Sequence, residues 1–228
     1  MAMPVNLAKG YELFRRQRFP SEVERYRALA SGQQPETMVI ACADSRVDPA
    51  AIFHASPGEL FVVRNVAALV PPCEANGSYH GTSAAIEFAV TGLGVKSIVV
   101  LGHGQCGGVA ASLRAAGGGP PAGAFIGPWV ALLAGARDEM LEHRPELSPD
   151  EHQQALELLA VKQSLLNLTT FPFVAEAMAR GALDLHGAWF SIGQAELRWL
   201  DHETGAFAVV PASGSPRMGL APRAFAAE

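Results

Sequence analysis

The sequence predicts an α/β fold with a mostly parallel central β-sheet and crossover helices, preceded by projecting amino-terminal helices and closed by short carboxyl-terminal strands. Three observations lead there. Apolar runs at residues 38–42, 60–63 and 97–101 have the length and β-branched content of buried strands. The order strand, turn, helix occurs twice, which is the rhythm of parallel strands joined by crossover helices. With 228 residues, 49% of them hydrophobic, the chain can bury one sizeable core, so residues 1–228 read as a single domain with residues 1–32 as a helical arm.

Residues 7–30 mix aromatic, aliphatic and charged side chains at helical spacing, and Pro20, with Ser21 and Glu24 after it, divides them into two helices. The strand at 38–42 runs into the polar turn Ala43-Asp44-Ser45-Arg46, and Asp48-Pro49 caps and opens a short helix. Pro57-Gly58 makes the turn before the strand at 60–63. A helix over 83–93 stops at Gly94, a residue that tolerates the left-handed conformation of a helix end. The strand at 97–101 ends at Gly102-His103, and a helical pattern resumes from Gly107 through Arg114. Glycine, proline and alanine dominate residues 115–127, which read as a surface loop, and residues 129–142 read as one helix. Ser148-Pro149-Asp150-Glu151 has the form of a capping box and starts a long helix toward Thr170; Pro172 starts another that ends at Gly181. Short strands at 186–193, 196–201 and 206–210 close the chain.

The net charge of −5, without a long basic cluster, disfavours nucleic acid and anionic membranes as partners and favours a small-molecule substrate. No stretch of about 18 uncharged apolar residues occurs, and the first residues lack the apolar region of a secretory signal, so a cytoplasmic location is expected. In that setting Asn76-Gly77-Ser78 and Asn167-Leu168-Thr169 match the glycosylation pattern by chance. Cys42, Cys73 and Cys106 are an odd number for a disulfide framework and suit metal binding or catalysis, with at least one idle. Cys73, in the loop Pro71-Pro72-Cys73-Glu74, is read as the idle one.

In parallel sheets, ligand sites gather where loops leave the carboxyl ends of strands. Cys42 sits at one such end, and His103 with Cys106 at another. Together they offer two thiolates and an imidazole, donors that zinc prefers, and three protein ligands leave a fourth tetrahedral position for water or substrate. Asp44 lies two residues after Cys42, and Arg46 two after that. A carboxylate pinned by a guanidinium stays ionised and fixed in direction, which suits an acceptor facing a metal-bound water. Gly92-Leu93-Gly94-Val95-Lys96-Ser97 has a superficial likeness to a phosphate loop but precedes a strand instead of following one, so phosphate binding is not expected.

CADSR at Cys42 to Arg46, joined with HGQCGG at His103 to Gly108, resembles the paired signature of the β-class carbonic anhydrases. The likeness continues through PGELFVVRNVAALVPP and GTSAAIEFAV and covers residues 32–109. It implies one Zn2+ per subunit held by Cys42, His103 and Cys106, with Asp44 and Arg46 as the catalytic dyad and Asp44 a fourth ligand only in a closed state. The implied reaction is reversible hydration of CO2 to bicarbonate and a proton by attack of zinc-bound hydroxide. Within the class, the plant-like subgroup with an open active site is the most similar: Gln33, Phe61 and Val66 match its substrate pocket, with Gly107 and Gly108 beside them.

Phe88 stands where that subgroup often has a tyrosine, and Gly92 where some members have a histidine. The proton's exit is therefore open between direct transfer to buffer and a histidine such as His54 or His80. The other subgroup's inhibitory bicarbonate pocket uses a tryptophan where this chain has Val39; Arg64 is common to both, so that inhibition is not expected. His143, His152 and His202 read as surface residues, as His186 can be. The resemblance also implies a homodimer or higher homo-oligomer, with Gln33 and pocket aromatics supplied across subunits. Two thiolates cancel the charge of a divalent ion, so turnover is expected to rise with pH above neutrality. Two alternatives stand beside CO2 hydration: hydrolysis of carbonyl sulfide or carbon disulfide on the same site, and a non-catalytic scaffold stapled by zinc with Asp44 completing its shell.

Overall fold

Among the described residues, six strands form one sheet: β1 (Thr37–Cys42), β2 (Leu60–Asn65), β3 (Ser97–His103), β4 (Asp184–Ser191), β5 (Glu196–Leu200) and β6 (Phe207–Val209), in the spatial order β2-β1-β3-β4-β5-β6. The computed structural model describes residues 3–74, 80–119 and 122–211. β1 pairs in parallel with β2 and β3, and β3 with β4; β5 and β6 follow antiparallel. The mostly parallel sheet is as expected, and its period-two alternation feeds two cores. Met38, Ile40, Ile98 and Val100 pack with Ile86, Leu165 and Leu168 on one face, and Val39, Ala41, Val99 and Leu101 pack with Ile52, Phe53 and Trp199 on the other. Burial of both faces is why these strands read as continuous apolar runs.

The helices are α1 (Val5–Leu13), α2 (Phe19–Leu29), α3 (Pro49–Ile52), α4 (Gly81–Glu87), α5 (Gly107–Ala116), α6 (Ile126–Val130), α7 (Ala134–His143), α8 (Pro149–Thr169) and α9 (Pro172–Ala179). As expected, the arm is two helices and Pro20 sits in the first turn of the second, but no loop parts them. A π-helical turn at Phe14–Arg18 joins α1 to α2, with the N–H of Phe19 reaching the carbonyl of Phe14. A proline offers no N–H and crowds the carbonyl four residues back; a widened turn just before it accommodates both. Among the described residues the arm has none that is buried, and it touches the body at its carboxyl end, where Leu29 lies against Gly58 and Arg25 pairs with Glu59 at 3.1 Å.

The single helix expected at 129–142 is three pieces, because a 3₁₀ turn at Ala131–Leu133 separates α6 from α7. In a 3₁₀ turn, residues three apart share a face, and Val130 and Leu133 are both buried. The loop at 115–127 is shorter at both ends, since α5 runs to Ala116 and α6 begins at Ile126.

α8 starts with the expected capping box between Ser148 and Glu151 and crosses β3 and β4 at short range. Glycine makes that approach possible: a Cβ at Gly102 would stand 2.7 Å from a Val161 methyl, and one at Gly187 would stand 2.9 Å from the other. On the same helix Asn167 is buried and donates to the Val70 carbonyl at 2.8 Å, so the folded chain offers no acceptor there for a glycan; Asn76 lies outside the described residues. Among the described residues, no single helix is long and apolar enough to cross a membrane.

Candidate metal centre

β1 ends at Cys42, β3 ends at His103, and Cys106 is the residue that caps α5. The parallel register sets Ala41 opposite Leu101, which brings the two strand ends side by side. The two sulfurs and a ring nitrogen of His103 then all lie within 4.8 Å of one another, and all three residues are buried. The Cys42 and Cys106 sulfurs are 3.9 Å apart. His103 Nδ1 lies 2.9 Å from the Gly104 carbonyl, which can only accept, so Nδ1 carries the hydrogen and Nε2 presents its lone pair. That Nε2 is buried with no hydrogen-bond partner. A buried lone pair left unsatisfied is costly, and an ion seated between it and two sulfurs satisfies it. The residues present therefore fit a tetrahedral metal ion of the soft-to-borderline class that includes zinc.

The sulfurs depend on one another. The Cys106 thiol beside it favours a thiolate at Cys42 more than burial opposes it, with His103 adding to the effect. The same pairing, together with burial, pushes the Cys106 thiol well up. The Ala67 N–H also donates to the Cys42 sulfur at 3.3 Å. Ala67 adopts φ 65°, a left-handed conformation that costs a non-glycine residue about 1–2 kcal/mol, and it is this turn after β2 that aims the N–H inward.

Asp44 and Arg46 form a bidentate pair: Nε donates to Oδ1 at 2.9 Å and an Nη to Oδ2 at 2.7 Å, with the Arg46 N–H adding a third bond to Oδ1 at 3.0 Å. The guanidinium holds the Asp44 carboxyl well below the usual carboxylate range, against the opposing pull of burial. Oδ2 sits 3.9 Å from His103 Nε2, near the ligand atoms but beyond a hydrogen bond. Arg46 also donates to the Gln105 carbonyl at 3.1 Å, tying the first ligand turn to the second. Arg64 fixes the first turn from below, donating to the carbonyls of Cys42, Asp44 and Val47 and pairing with Asp48 at 3.3 Å.

One residue of this centre escaped the sequence reading. Glu157 on α8 is 2% exposed, and its carboxylate accepts from the Cys106 N–H at 2.9 Å, Gln153 Nε2 at 2.7 Å and Trp189 Nε1 at 3.2 Å. The signal was present, since Glu157 shares the inward stripe of α8 with Ala160, Val161 and Ser164. An acidic residue on such a stripe needs buried donors.

The expected pocket residues divide into two groups. Val66, Gly107 and Gly108 stand beside the ligands and line a cavity of about 290 Å³ that continues past Ala111 and Arg114 to Ile126. A Cβ on Gly108 would come within 2.7 Å of Val66, so only glycine lets α5 start this close. Phe61 instead pairs with Met38 in the sheet, four residues and roughly 13 Å along β1 from Cys42, and its ring packs at a tilt against Phe88, which is half exposed. Gln33 is exposed in the coil before β1, at the opposite end of that strand from the ligands. Within one protomer these three do not meet the ligand set. Of the histidines, His54 and His143 are exposed and Cys73 is exposed as expected, whereas His186 is half buried with its ring 5.5 Å from Trp199, and burial lowers its pKa.

A carbonic anhydrase family model matches residues 37–197, and Beta carbonic anhydrase 6, mitochondrial, of Arabidopsis thaliana is 37% identical over 187 residues. The chain belongs to the β-class carbonic anhydrases. That alignment takes in 82% of this carbonic anhydrase-family chain and 64% of the Arabidopsis protein. Beta carbonic anhydrase 5, chloroplastic, from the same plant is 37% identical over 82% of the chain and 61% of its own length, so the chain spans less than two thirds of either relative. Among solved structures, the β-carbonic anhydrase CcaA superposes with a TM-score of 0.81 at 29% identity, covering 90% of this chain and 98% of that one. CafA of Aspergillus fumigatus gives 0.76 at 37% identity over 86% and 89%. A β-carbonic anhydrase of Sordaria macrospora, from a pair described as tetrameric, gives 0.71 at 32% identity over 89% and 94%.

Proposed function

We propose that this chain is a zinc-dependent carbonate dehydratase that interconverts CO2 and bicarbonate. The observation that carries the reading is the convergence of Cys42, His103 and Cys106 within 4.8 Å, with the Arg46-held carboxylate of Asp44 3.9 Å from His103 Nε2. Cys42, His103 and Cys106 would hold Zn2+, which would supply a Lewis acid that acidifies water. Cys42 and Cys106 as thiolates beside a neutral His103 would offset the 2+ charge of such an ion, so the acidification would be weaker than beside three imidazoles.

The chain's own residues supply the orientation. Asp44 is kept ionised by Arg46, so Oδ2 accepts a hydrogen from the nucleophile without taking its proton, which turns an oxygen lone pair toward the substrate. Val66, Gly107 and Gly108 line one wall of a cavity next to the Cys106 turn, and the small substrate is placed there. Gln33, Phe61 and Phe88 complete the pocket from a second copy of the chain in a homo-oligomer, which agrees with their distance from the ligands of their own protomer and with the tetrameric state of the Sordaria relatives.

The deciding experiment pairs metal analysis with stopped-flow CO2 hydration on the wild type and on Cys106→Ser. The wild type should carry one zinc per chain and hydrate CO2, and Cys106→Ser should lose both. An active, zinc-free Cys106→Ser protein would overturn the assignment.

A further inference from the structure

We infer that Glu157 and Gln153 are positioning residues for the metal centre, clamping the Cys106 peptide from both sides so that its sulfur is aimed at the ion before the ion arrives. The inference rests on the proposed function, since it assigns these residues a duty toward the same metal. Cys106 is the capping residue of α5, and its own N–H has no partner in the helix that follows. In a capping box, an acidic side chain three residues on takes that N–H, but here that residue is Val109. Glu157 fills the role from another helix, with Oε1 2.9 Å from the Cys106 nitrogen. On the other side of the residue, Gln153 Nε2 donates to the Cys106 carbonyl at 3.0 Å and, with its second hydrogen, to Glu157 Oε1 at 2.7 Å. The two α8 side chains thus hold the residue at both its N–H and its carbonyl and also hold each other.

The chemistry argues against a role in packing alone. Glu157 is 2% exposed, no cation is bonded to its carboxylate, and burial pushes its carboxyl pKa up, so an apolar residue of similar volume would be the cheaper way to fill the space. What the carboxylate gains is geometry. The turn it steadies contains Gln105 at φ 55°, a left-handed conformation that a non-glycine residue holds only when its surroundings insist. Arg46 grips the Gln105 carbonyl from one side, and Glu157 with Gln153 grips Cys106 from the other. Release of the second grip leaves the Cys106 carbonyl with the Ala110 N–H bond inside α5 and the sulfur with the Gly108 and Val109 N–H groups, so the turn relaxes and the sulfur is free to follow α5 away from Cys42.

The test uses the purified full chain, stripped and reloaded, with three variants: Glu157→Leu, Gln153→Leu and the conservative Glu157→Gln, which keeps an acceptor for the Cys106 N–H and sacrifices only the Trp189 bond. Zinc affinity is read by competition with a chromophoric chelator, and ligand geometry by the thiolate-to-metal absorption bands of the cobalt-substituted protein. Loss of an outer hydrogen bond to a ligand typically weakens metal binding about 10–100-fold, and that loss is expected for both leucine variants together with altered cobalt bands. Glu157→Gln should stay within about threefold of the wild type. Leucine variants that keep the wild-type thermal transition, zinc affinity and cobalt spectrum would overturn the inference. Should Glu157→Leu fail to fold, Gln153→Leu decides alone, because Gln153 is only half buried. A wild type that binds zinc but does not hydrate CO2 would instead sink the proposed function and leave the clamp standing.

Discussion

Asp44 contributes by being unable to change its charge. With two guanidinium donors and a backbone N–H on its oxygens, its carboxyl stays ionised well below the ordinary carboxylate value of 3.8. A depressed carboxylate is deprotonated throughout the range above its ordinary value and takes up a proton only as pH falls below that, so Asp44 cannot produce an activity change near neutrality. Arg46→Ala should therefore lower CO2 hydration by about 10–100-fold with zinc retained, and the midpoint of the rise in activity above neutral pH should stay where it is. A pH–rate series on both proteins checks this; a shifted midpoint would make Asp44 the titrating group. The ligands and the dyad were legible in the sequence because each sits on a short motif at a strand end, where loops converge. Glu157 was legible only as an acidic residue on an inward helical stripe and not as a part of this centre, since its partners Cys106 and Trp189 are far from it in the chain. Gln33, Phe61 and Phe88 were legible as residue types but not as places, because within one protomer they do not meet the ligand set and the second copy we propose they serve leaves no mark in the sequence of one chain.

At the scale of elements, glycines decide how closely helices approach the sheet. α8 crosses β3 and β4 over Gly102 and Gly187, where an added Cβ would meet Val161 at 2.7 Å and 2.9 Å. Gly102→Ala and Gly187→Ala should each cost about 1–3 kcal/mol through overpacking, read as a lower denaturant midpoint at unchanged slope. Gly107→Ala is the control, because a Cβ there meets nothing within 4 Å. The glycine-rich look of HGQCGG and its neighbours thus has different causes at different positions, which sequence alone does not separate. Strand positions and the α8 cap were read correctly because apolar runs and the Ser148–Glu151 box are local signals. The two helices of the arm were legible from Pro20, but the π turn that joins them was not, because a breaker of an α-helix does not break a widened turn placed just before it.

For the whole molecule, the sites are expected to be shared between copies, and complementation tests that directly. Gln33→Ala removes a group that one subunit lends, and Arg46→Ala one that the other keeps. Refolding the two inactive variants together in equal amounts should restore activity to about a quarter of the sites, since half the dimers are mixed and each mixed dimer has one site with neither defect. Recovery at the level of the separate variants would mean that Gln33 serves its own protomer or none. One feature of the fold reaches beyond catalysis. Cys42 and His103 are neighbours because β1 and β3 are bonded to each other along their length, and Cys106 is held by α8, so three separate stretches of the chain must pack together before the three donors meet. An ion held this way would be released whenever the β1–β3 seam or the α8 contact opened, so its retention in the proposed site should report on the packing of the sheet as a whole.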